Sequence, residues 1–139
     1  MAGEQVLVVE DNATSMKLFR DVLLATGYRP LEATTGGQAF QLAADQAPAV
    51  VLMDIRLPDV DGISALGRLR ADARTASIPV LALTAESMLG DRERLLAAGF
   101  DGYVSKPVNV TEFLDTVRRH CEPPSPGRGH ARRVISGLP

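Results

Sequence analysis

The chain has 139 residues, the size of one compact domain, and its 45% hydrophobic and 23% charged content excludes collagen-like and wholly disordered classes. The formal charge of −2 at pH 7 argues against direct binding to nucleic acid. A lone cysteine, Cys121, cannot form an intrachain disulfide, and the first residues lack a signal-peptide pattern. No apolar run approaches the roughly 18 residues of a membrane span, so we expect a soluble, cytoplasmic protein.

Predicted strands and helices alternate along the chain. In order they are strand 6–9, helix 12–27, strand 28–33, helix 39–43, strand 50–53, helix 63–69, strand 78–83, helix 88–98, strand 102–105 and a helix from 109. The strands at 6–9, 50–53 and 78–83 are continuous apolar runs without polar alternation, which is typical of strands buried on both faces. The strands at 28–33 and 102–105 are the weaker two.

Capping residues and apolar spacing mark the helices. Asn12 can cap the first, which Gly27 ends, and Asn109 can cap the last, with Glu112 three residues on. The buried face of the first helix is predicted at positions 16, 19, 22 and 23. The last helix shows the same pattern at positions 110, 113, 114 and 117.

Five alternations of strand and helix predict an α/β fold with a doubly wound parallel sheet and helices on both faces, because parallel neighbours are joined by long crossovers. Residues 1–121 form the predicted domain. Residues 122–139 contain four prolines and three glycines, so we predict a flexible tail or linker there.

Polar residues stand where the predicted strands end. They are Glu10, Asp11, Asp54, Thr84, Ser105 and Lys106. The carboxyl ends of parallel strands lie at one edge of the sheet, so these side chains should converge. Three carboxylates crowded together repel one another unless a cation neutralises them. The sequence therefore predicts a site for a hard, oxygen-preferring ion such as Mg²⁺.

Each of these residues also has an ordinary structural explanation. Asp11 could belong to a helix cap, and Asp54 could start the turn LPDVDG. Thr84 could bond to the backbone, and Lys106 could be a solvated surface lysine. Their shared position at one end of their strands favours a common site, because scattered surface charge has no reason to collect there.

Four segments carry a family resemblance: VLVVEDN, VVLMDIRLPDVDG, IPVLALTA and YVSKP. In this order and spacing they resemble the receiver domain of bacterial two-component response regulators, over about residues 5–120. This implies a flavodoxin-like, five-stranded sheet of order 2-1-3-4-5, as in chemotaxis regulators. The segments MKLF and VSKPVNVTEFL, and the residues at 90–94, are most similar to single-domain regulators of the DivK type, although receivers of hybrid kinases share them.

The resemblance implies a phosphoacceptor. Asp54 would take a phosphoryl group from a phosphohistidine on a histidine kinase or a histidine phosphotransfer protein. Glu10, Asp11 and Asp54, with the backbone carbonyl of Arg56, would hold Mg²⁺. The protein would then be a phosphorylation-switched signalling domain rather than an enzyme with an external substrate.

The resemblance also implies a switch. Lys106 would offset charge on the phosphoryl group, aimed inward by a cis bond to Pro107. Thr84 would donate to the new phosphoryl group, and Tyr103 would swing inward behind it. The surface of the fourth helix, fifth strand and fifth helix would then bind a downstream protein.

Three alternatives are left open. A flavin or nucleotide binder shares this strand order, but its phosphate loop would stand where Glu10 and Asp11 are. An aspartyl-phosphate hydrolase usually has a second Asp where this chain has Arg56. A pseudo-receiver would dock partners without being phosphorylated.

One further expectation concerns the lifetime of the phosphoryl group. Arg56 and Glu86 each lie two residues after a predicted site residue, and their charges are opposite. An ion pair between them across the mouth of the site would obstruct an attacking water, which predicts slow self-dephosphorylation. Two solvated side chains that point apart are the alternative.

Overall fold

Strands and helices alternate through residues 3–85, 92–106 and 109–121, which are those that the computed structural model describes. The strands β1 to β5 are Gln5–Val9, Arg29–Ala33, Val50–Asp54, Val80–Ala85 and Gly102–Lys106. The helices α1 to α5 are Ala13–Ala25, Gly36–Gln46, Gly62–Ala71, Arg92–Ala98 and Val110–Cys121. This order confirms the predicted alternation.

The five strands form one parallel sheet in the order β2-β1-β3-β4-β5. The predicted fold class and strand order are confirmed. In the register of the sheet, Val9 lies beside both Ala33 and Met53, and Ala85 lies beside Lys106. The carboxyl ends of the strands therefore meet at one edge.

Two hydrophobic clusters cover the two faces of the sheet. Leu7 and Val9 of β1 pack in the cluster beneath α2, α3 and α4, whereas Val6 and Val8 pack in the cluster beneath α1 and α5. All four are fully buried, which explains the unalternating apolar run of this strand. The rings of Phe19 in α1 and Phe113 in α5 lie 5.3 Å apart between their centroids and join the second cluster.

The predicted caps are confirmed. The side chain of Asn12 accepts a hydrogen bond from the N–H of Ser15 at 2.9 Å, and that of Asn109 accepts from the N–H of Glu112 at 3.0 Å. The last helix differs in one respect, because Val110, predicted to lie on its apolar face, is 42% exposed.

β4 begins at Val80 rather than at the predicted residue 78. The N–H of Ile78 donates to the carbonyl of Thr75 in the preceding turn, and Pro79 has no N–H to contribute to a sheet.

At the amino edge of the sheet, Arg70 of α3 joins several segments. Its guanidinium donates to the carbonyls of Ala76 at 3.0 Å, Ile78 at 2.7 Å and Gly99 at 3.0 Å. It also donates to the carboxylate of Asp101 at 2.8 Å. We call these residues the Arg70 cluster. It fixes the end of α4 and the start of β5 to the turn before β4.

Several predictions concern residues outside those described, among them the start of the fourth helix at 88–91, the cis bond at Pro107, and the tail at 122–139. In the described part of the chain, no helix combines the length and apolar character needed to cross a membrane.

Candidate functional site

The carboxyl edge of the sheet carries a polar cleft of about 370 Å³. It is lined by Glu10, Asp11, Asn12, Asp54, Ile55, Arg56 and Lys106. Glu10 and Asp11 follow β1, Asp54 ends the neighbouring strand β3, and Lys106 ends β5. The parallel sheet thus brings together four residues that the sequence predicted as one site.

Lys106 bridges two of the carboxylates. Its Nζ lies 2.7 Å from Oε1 of Glu10 and 3.2 Å from Oδ2 of Asp54. Burial alone would lower the pKa of Lys106, but its hydrogen bond to Glu10 and the charge of Asp54 outweigh burial and raise it. The ammonium group therefore stays charged at neutral pH and partly neutralises the carboxylates.

Glu10 is the most deeply buried of the three clustered carboxylates, with 1% of its surface exposed. Its Oε2 accepts from the N–H of Asn12 at 3.1 Å. Burial raises the pKa of Glu10, and the hydrogen bond from Lys106 opposes that effect. The ion pair and the backbone N–H together hold this carboxylate inside the protein.

Asp54 lies at the floor of the cleft, with 11% of its side chain exposed. Its two oxygens have different partners, because Oδ1 accepts from the N–H of Arg56 at 2.9 Å and Oδ2 accepts from Lys106. The carboxylate is thereby fixed in one orientation and still borders the cleft.

Three carboxylates are close enough to share one ion. One oxygen each of Glu10, Asp11 and Asp54 lies within 4.8 Å of the others, and Asp11 is exposed at the opening. An all-oxygen, acidic set with one open side suits Mg²⁺, which keeps several of its waters. These residues fit the magnesium site that the sequence predicted.

The predicted switch residues lie on β4 and β5, and neither belongs to the lining of the cleft. Thr84 of β4 is 2% exposed and lies beside Ser105 in the sheet. Tyr103 is half-buried and packs with the cluster beneath α2, α3 and α4. Its partner in register is Ala82, two residues before Thr84, so Thr84 and Tyr103 share one face of the sheet.

The proposed ion pair between Arg56 and Glu86 has only one member in the described part of the chain. Arg56 is exposed at the cleft, whereas Glu86, like Pro107, lies outside the described residues. The expectation about phosphoryl lifetime therefore stays a prediction.

Sequence reasoning interpreted LPDVDG as a turn and as part of a family motif, but it assigned no role to three of its residues. Asp59 accepts hydrogen bonds from α2, and Asp61 caps α3 by accepting from the N–H of Ser64 at 2.8 Å. A Cβ on Gly62 would lie 2.6 Å from Cα of Ile55, so only glycine lets α3 start this close to β3. The Asp-Gly pair at 61–62 was the signal available in the sequence.

The chain belongs to the response regulator receiver domain family, whose model matches residues 6–118. It is similar to the polar-differentiation response regulator DivK of Brucella ovis, with 41% identity over 117 residues that cover 84% of this chain and 95% of that protein. DivK of Brucella anthropi is similar to the same extent. The resemblance inferred from the four motifs is confirmed.

Solved structures show the same fold. The receiver domain of a sensor histidine kinase from Pseudomonas aeruginosa has a TM-score of 0.79 and 38% identity, covering 86% of this chain and 98% of that one. That structure has a magnesium ion coordinated in its active site cleft. A chemotaxis response regulator of Vibrio cholerae has a TM-score of 0.79 and 25% identity, covering 86% of this chain and 99% of that one.

Proposed function

We propose that the protein is a cytoplasmic phosphoacceptor response regulator of a two-component phosphorelay. In this function Asp54 takes a phosphoryl group from a phosphohistidine of a histidine kinase or histidine phosphotransfer protein. The observation that carries the proposal is the position of Asp54, a fixed carboxylate at the cleft floor between an ammonium group and two further carboxylates.

The reaction is a displacement at phosphorus. A carboxylate oxygen of Asp54 forms the new P–O bond while the P–N bond to the imidazole breaks, and the electron pair of that bond stays on the histidine nitrogen. The hydrogen bonds from Arg56 N–H and Lys106 hold the carboxylate before the donor arrives. Such fixed positioning is a large part of catalysis in phosphoryl transfer.

Glu10, Asp11 and Asp54, with the backbone carbonyl of Arg56, are the residues proposed to hold Mg²⁺. When bound, the ion offsets the negative charge of the phosphoryl oxygens. Lys106 supplies a second positive charge, 3.2 Å from Oδ2 of Asp54. Its ion pair with Glu10 keeps the ammonium group directed at the cleft in the absence of a ligand.

The output is a change in a protein-binding surface. Thr84 is proposed to donate its hydroxyl hydrogen to the phosphoryl group, and Tyr103, on the same face of the sheet, to move inward after it. The surface formed by α4, β5 and α5 would then bind the downstream protein. The family supports this assignment, because receiver domains are signalling domains.

The decisive experiment measures phosphoryl incorporation from acetyl phosphate or a phosphorylated kinase, with and without Mg²⁺. We expect incorporation that needs Mg²⁺ in the parent and is lost in Asp54→Asn. Asp45→Asn, which changes an exposed carboxylate on α2, is the matched control and should behave like the parent. Incorporation that survives Asp54→Asn at unchanged yield would overturn the proposal.

The switch needs its own test. Thr84→Ala should still be phosphorylated but should lose the coupling to the surface. We expect beryllofluoride, a phosphoryl mimic, to shift NMR signals of residues 92–106 and 109–121 in the parent and much less in this variant. Matching shifts in both proteins would contradict the role of Thr84.

The pseudo-receiver alternative predicts a different outcome. A protein that only docks partners would bind no Mg²⁺ and accept no phosphoryl group. The convergence of Glu10, Asp11, Asp54 and Lys106 in one cleft supports phosphorylation over docking alone.

A further inference from the structure

Asp59 lies in the loop between β3 and α3, but its carboxylate binds a different helix. Its Oδ1 accepts from the N–H of Gly36 at 2.8 Å, and its Oδ2 accepts from the N–H of Gly37 at 3.1 Å. These are the first two residues of α2, whose N–H groups have no partner within the helix. One carboxylate therefore joins segments 22 to 23 residues apart.

The first turn of α2 thus has two caps. Thr35 supplies the local one, since its hydroxyl oxygen accepts from the N–H of Gln38 at 3.1 Å. Asp59 supplies the other from the loop. The hydrogen bond from Gly36 lowers the pKa of Asp59 against the opposing effect of burial, so the carboxylate is charged and complements the positive end of the helix.

Val60 adds a second contact between the loop and α2. A Cβ on Gly36 would lie only 2.6 Å from Cγ2 of Val60. The loop therefore approaches the helix more closely than any residue with a side chain at position 36 would allow without a shift.

The same loop is fixed to the site at its other side. The N–H of Arg56 donates to Asp54, and Arg56 pairs with Asp61 in an antiparallel bridge. The N–H of Gly62 donates to the carbonyl of Ile55 at 2.9 Å. Residues 55–61 are therefore held between Asp54 and α2, and Asp59 makes two hydrogen bonds on the α2 side.

We propose that Asp59 is a positioning residue for the magnesium site. By fastening residues 55–61 to α2, it holds the backbone of Arg56 where its carbonyl joins the carboxylates. The roles of Arg56 and Asp54 in this inference rest on the proposed function. Asp59 does not line the cleft, so it acts through the loop and not on the ion.

The test compares three variants of the full chain by two measurements: amide hydrogen exchange of residues 55–61 without metal, and the Mg²⁺ dissociation constant by calorimetry. Asp59→Ala should speed exchange in the loop and raise the dissociation constant roughly tenfold, as for other residues that orient metal ligands. Thr35→Ala removes the other cap of α2 but leaves the loop held, so its dissociation constant should stay within about twofold of the parent.

Asp59→Asn separates geometry from charge. It removes the charge but keeps one oxygen acceptor, so its Mg²⁺ affinity should lie closer to the parent than that of Asp59→Ala. Equal losses in these two variants would assign the effect to charge and overturn the inference. Equal losses in Asp59→Ala and Thr35→Ala would reduce Asp59 to a helix cap and overturn it as well.

The outcomes also separate this inference from the proposed function. An unchanged dissociation constant in Asp59→Ala, in a parent that binds Mg²⁺, overturns the role of Asp59 alone. A parent that binds no Mg²⁺ overturns the proposed function and with it the effect on the metal. Loop exchange unchanged by Asp59→Ala overturns the fastening itself, whatever the metal does.

Discussion

The two edges of the β-sheet carry different arrangements of charged side chains. At the carboxyl edge, the carboxylates of Glu10, Asp11 and Asp54 cluster together, and the ammonium group of Lys106 bonds to those of Glu10 and Asp54. At the amino edge, the guanidinium of Arg70 donates to three carbonyls and one carboxylate. At the first edge three carboxylates outnumber the ammonium group beside them, whereas at the second the guanidinium has four hydrogen-bond acceptors.

This difference indicates that the residues of the candidate site and the residues that stabilise the fold lie at opposite edges of the sheet. Crowded carboxylates destabilise a folded protein, yet they create a site for a cation. Arg70 bonds to main-chain carbonyls of two segments and to the carboxylate of a third, and it contributes to stability without lining the cleft. Substitutions at the two edges should therefore have effects of opposite sign on the free energy of unfolding.

The largest effect should come from Arg70→Ala. Removing the guanidinium leaves the carbonyl of Ile78 and the carboxylate of Asp101 without a charged donor, so we expect the free energy of unfolding to fall by about 2 to 3 kcal/mol. Urea denaturation of the parent and the variant measures this difference in the free energy of unfolding. Arg68→Ala is the matched control on the same helix, since Arg68 lies 4.3 Å from the ring of Phe40 and should contribute under about 1 kcal/mol. Equal losses in the two variants would contradict a special role of the cluster.

Asp11→Asn should act in the opposite direction and depend on the metal. Without Mg²⁺ it relieves repulsion from Glu10 and Asp54, so stability should rise by up to about 1 kcal/mol. With Mg²⁺ at 100 times its dissociation constant, the parent should gain about 2.7 kcal/mol and the variant much less. Urea denaturation in EDTA measures the gain in stability without metal, and denaturation in excess Mg²⁺ measures the gain from the ion. The assignment fails if the variant gains as much from Mg²⁺ as the parent.

Two substitutions at helix ends near the amino edge should change the free energy of unfolding by smaller amounts and in opposite directions. Gly27 follows α1 with a φ of 92°, and Ala47 caps α2 with a φ of 48°, a left-handed value that disfavours a side chain. We expect Ala47→Gly to stabilise and Gly27→Ala to destabilise, each by about 0.5 kcal/mol after the entropy of the unfolded chain is counted. A loss of stability in Ala47→Gly would show that α2 ends differently in solution.

The smallest expected effect concerns the pKa of Asp72. Hydrogen bonds from the side chain and then the backbone of Arg74 lower the pKa of Asp72, at the end of α3, to about 2. Because this pKa is lowered by folding, its contribution to stability is present above pH 4 and is lost as the pH falls toward 2. NMR titration of the Asp72 carboxyl should give this value, and Arg74→Ala should return it toward 3.8. A pKa near 3.8 in the parent would contradict the contact.

The residues at the carboxyl edge could be predicted from sequence because each one directly follows or ends the strand that places it there. An apolar run such as 50–53 predicts a strand buried on both faces, and the residue that follows it must lie at the edge of a parallel sheet. The partners of Asp59 and Arg70 could not be predicted in this way. A bond from a side chain to the main chain of another element leaves no periodic pattern, and Arg70 reaches Asp101 across 31 residues.

The bond between Lys106 and Glu10 joins residues 96 apart in sequence, and this separation has a consequence for folding. Contacts so distant form only after the intervening chain has been ordered, because closing a long loop costs entropy before the contact repays it. During synthesis, the ribosome completes β1 and β3, with their acidic residues, before Lys106 exists. A chain arrested before β5 therefore lacks the ammonium group of its site, and the bonds of Glu10 and Asp54 to that group form only with the last strand.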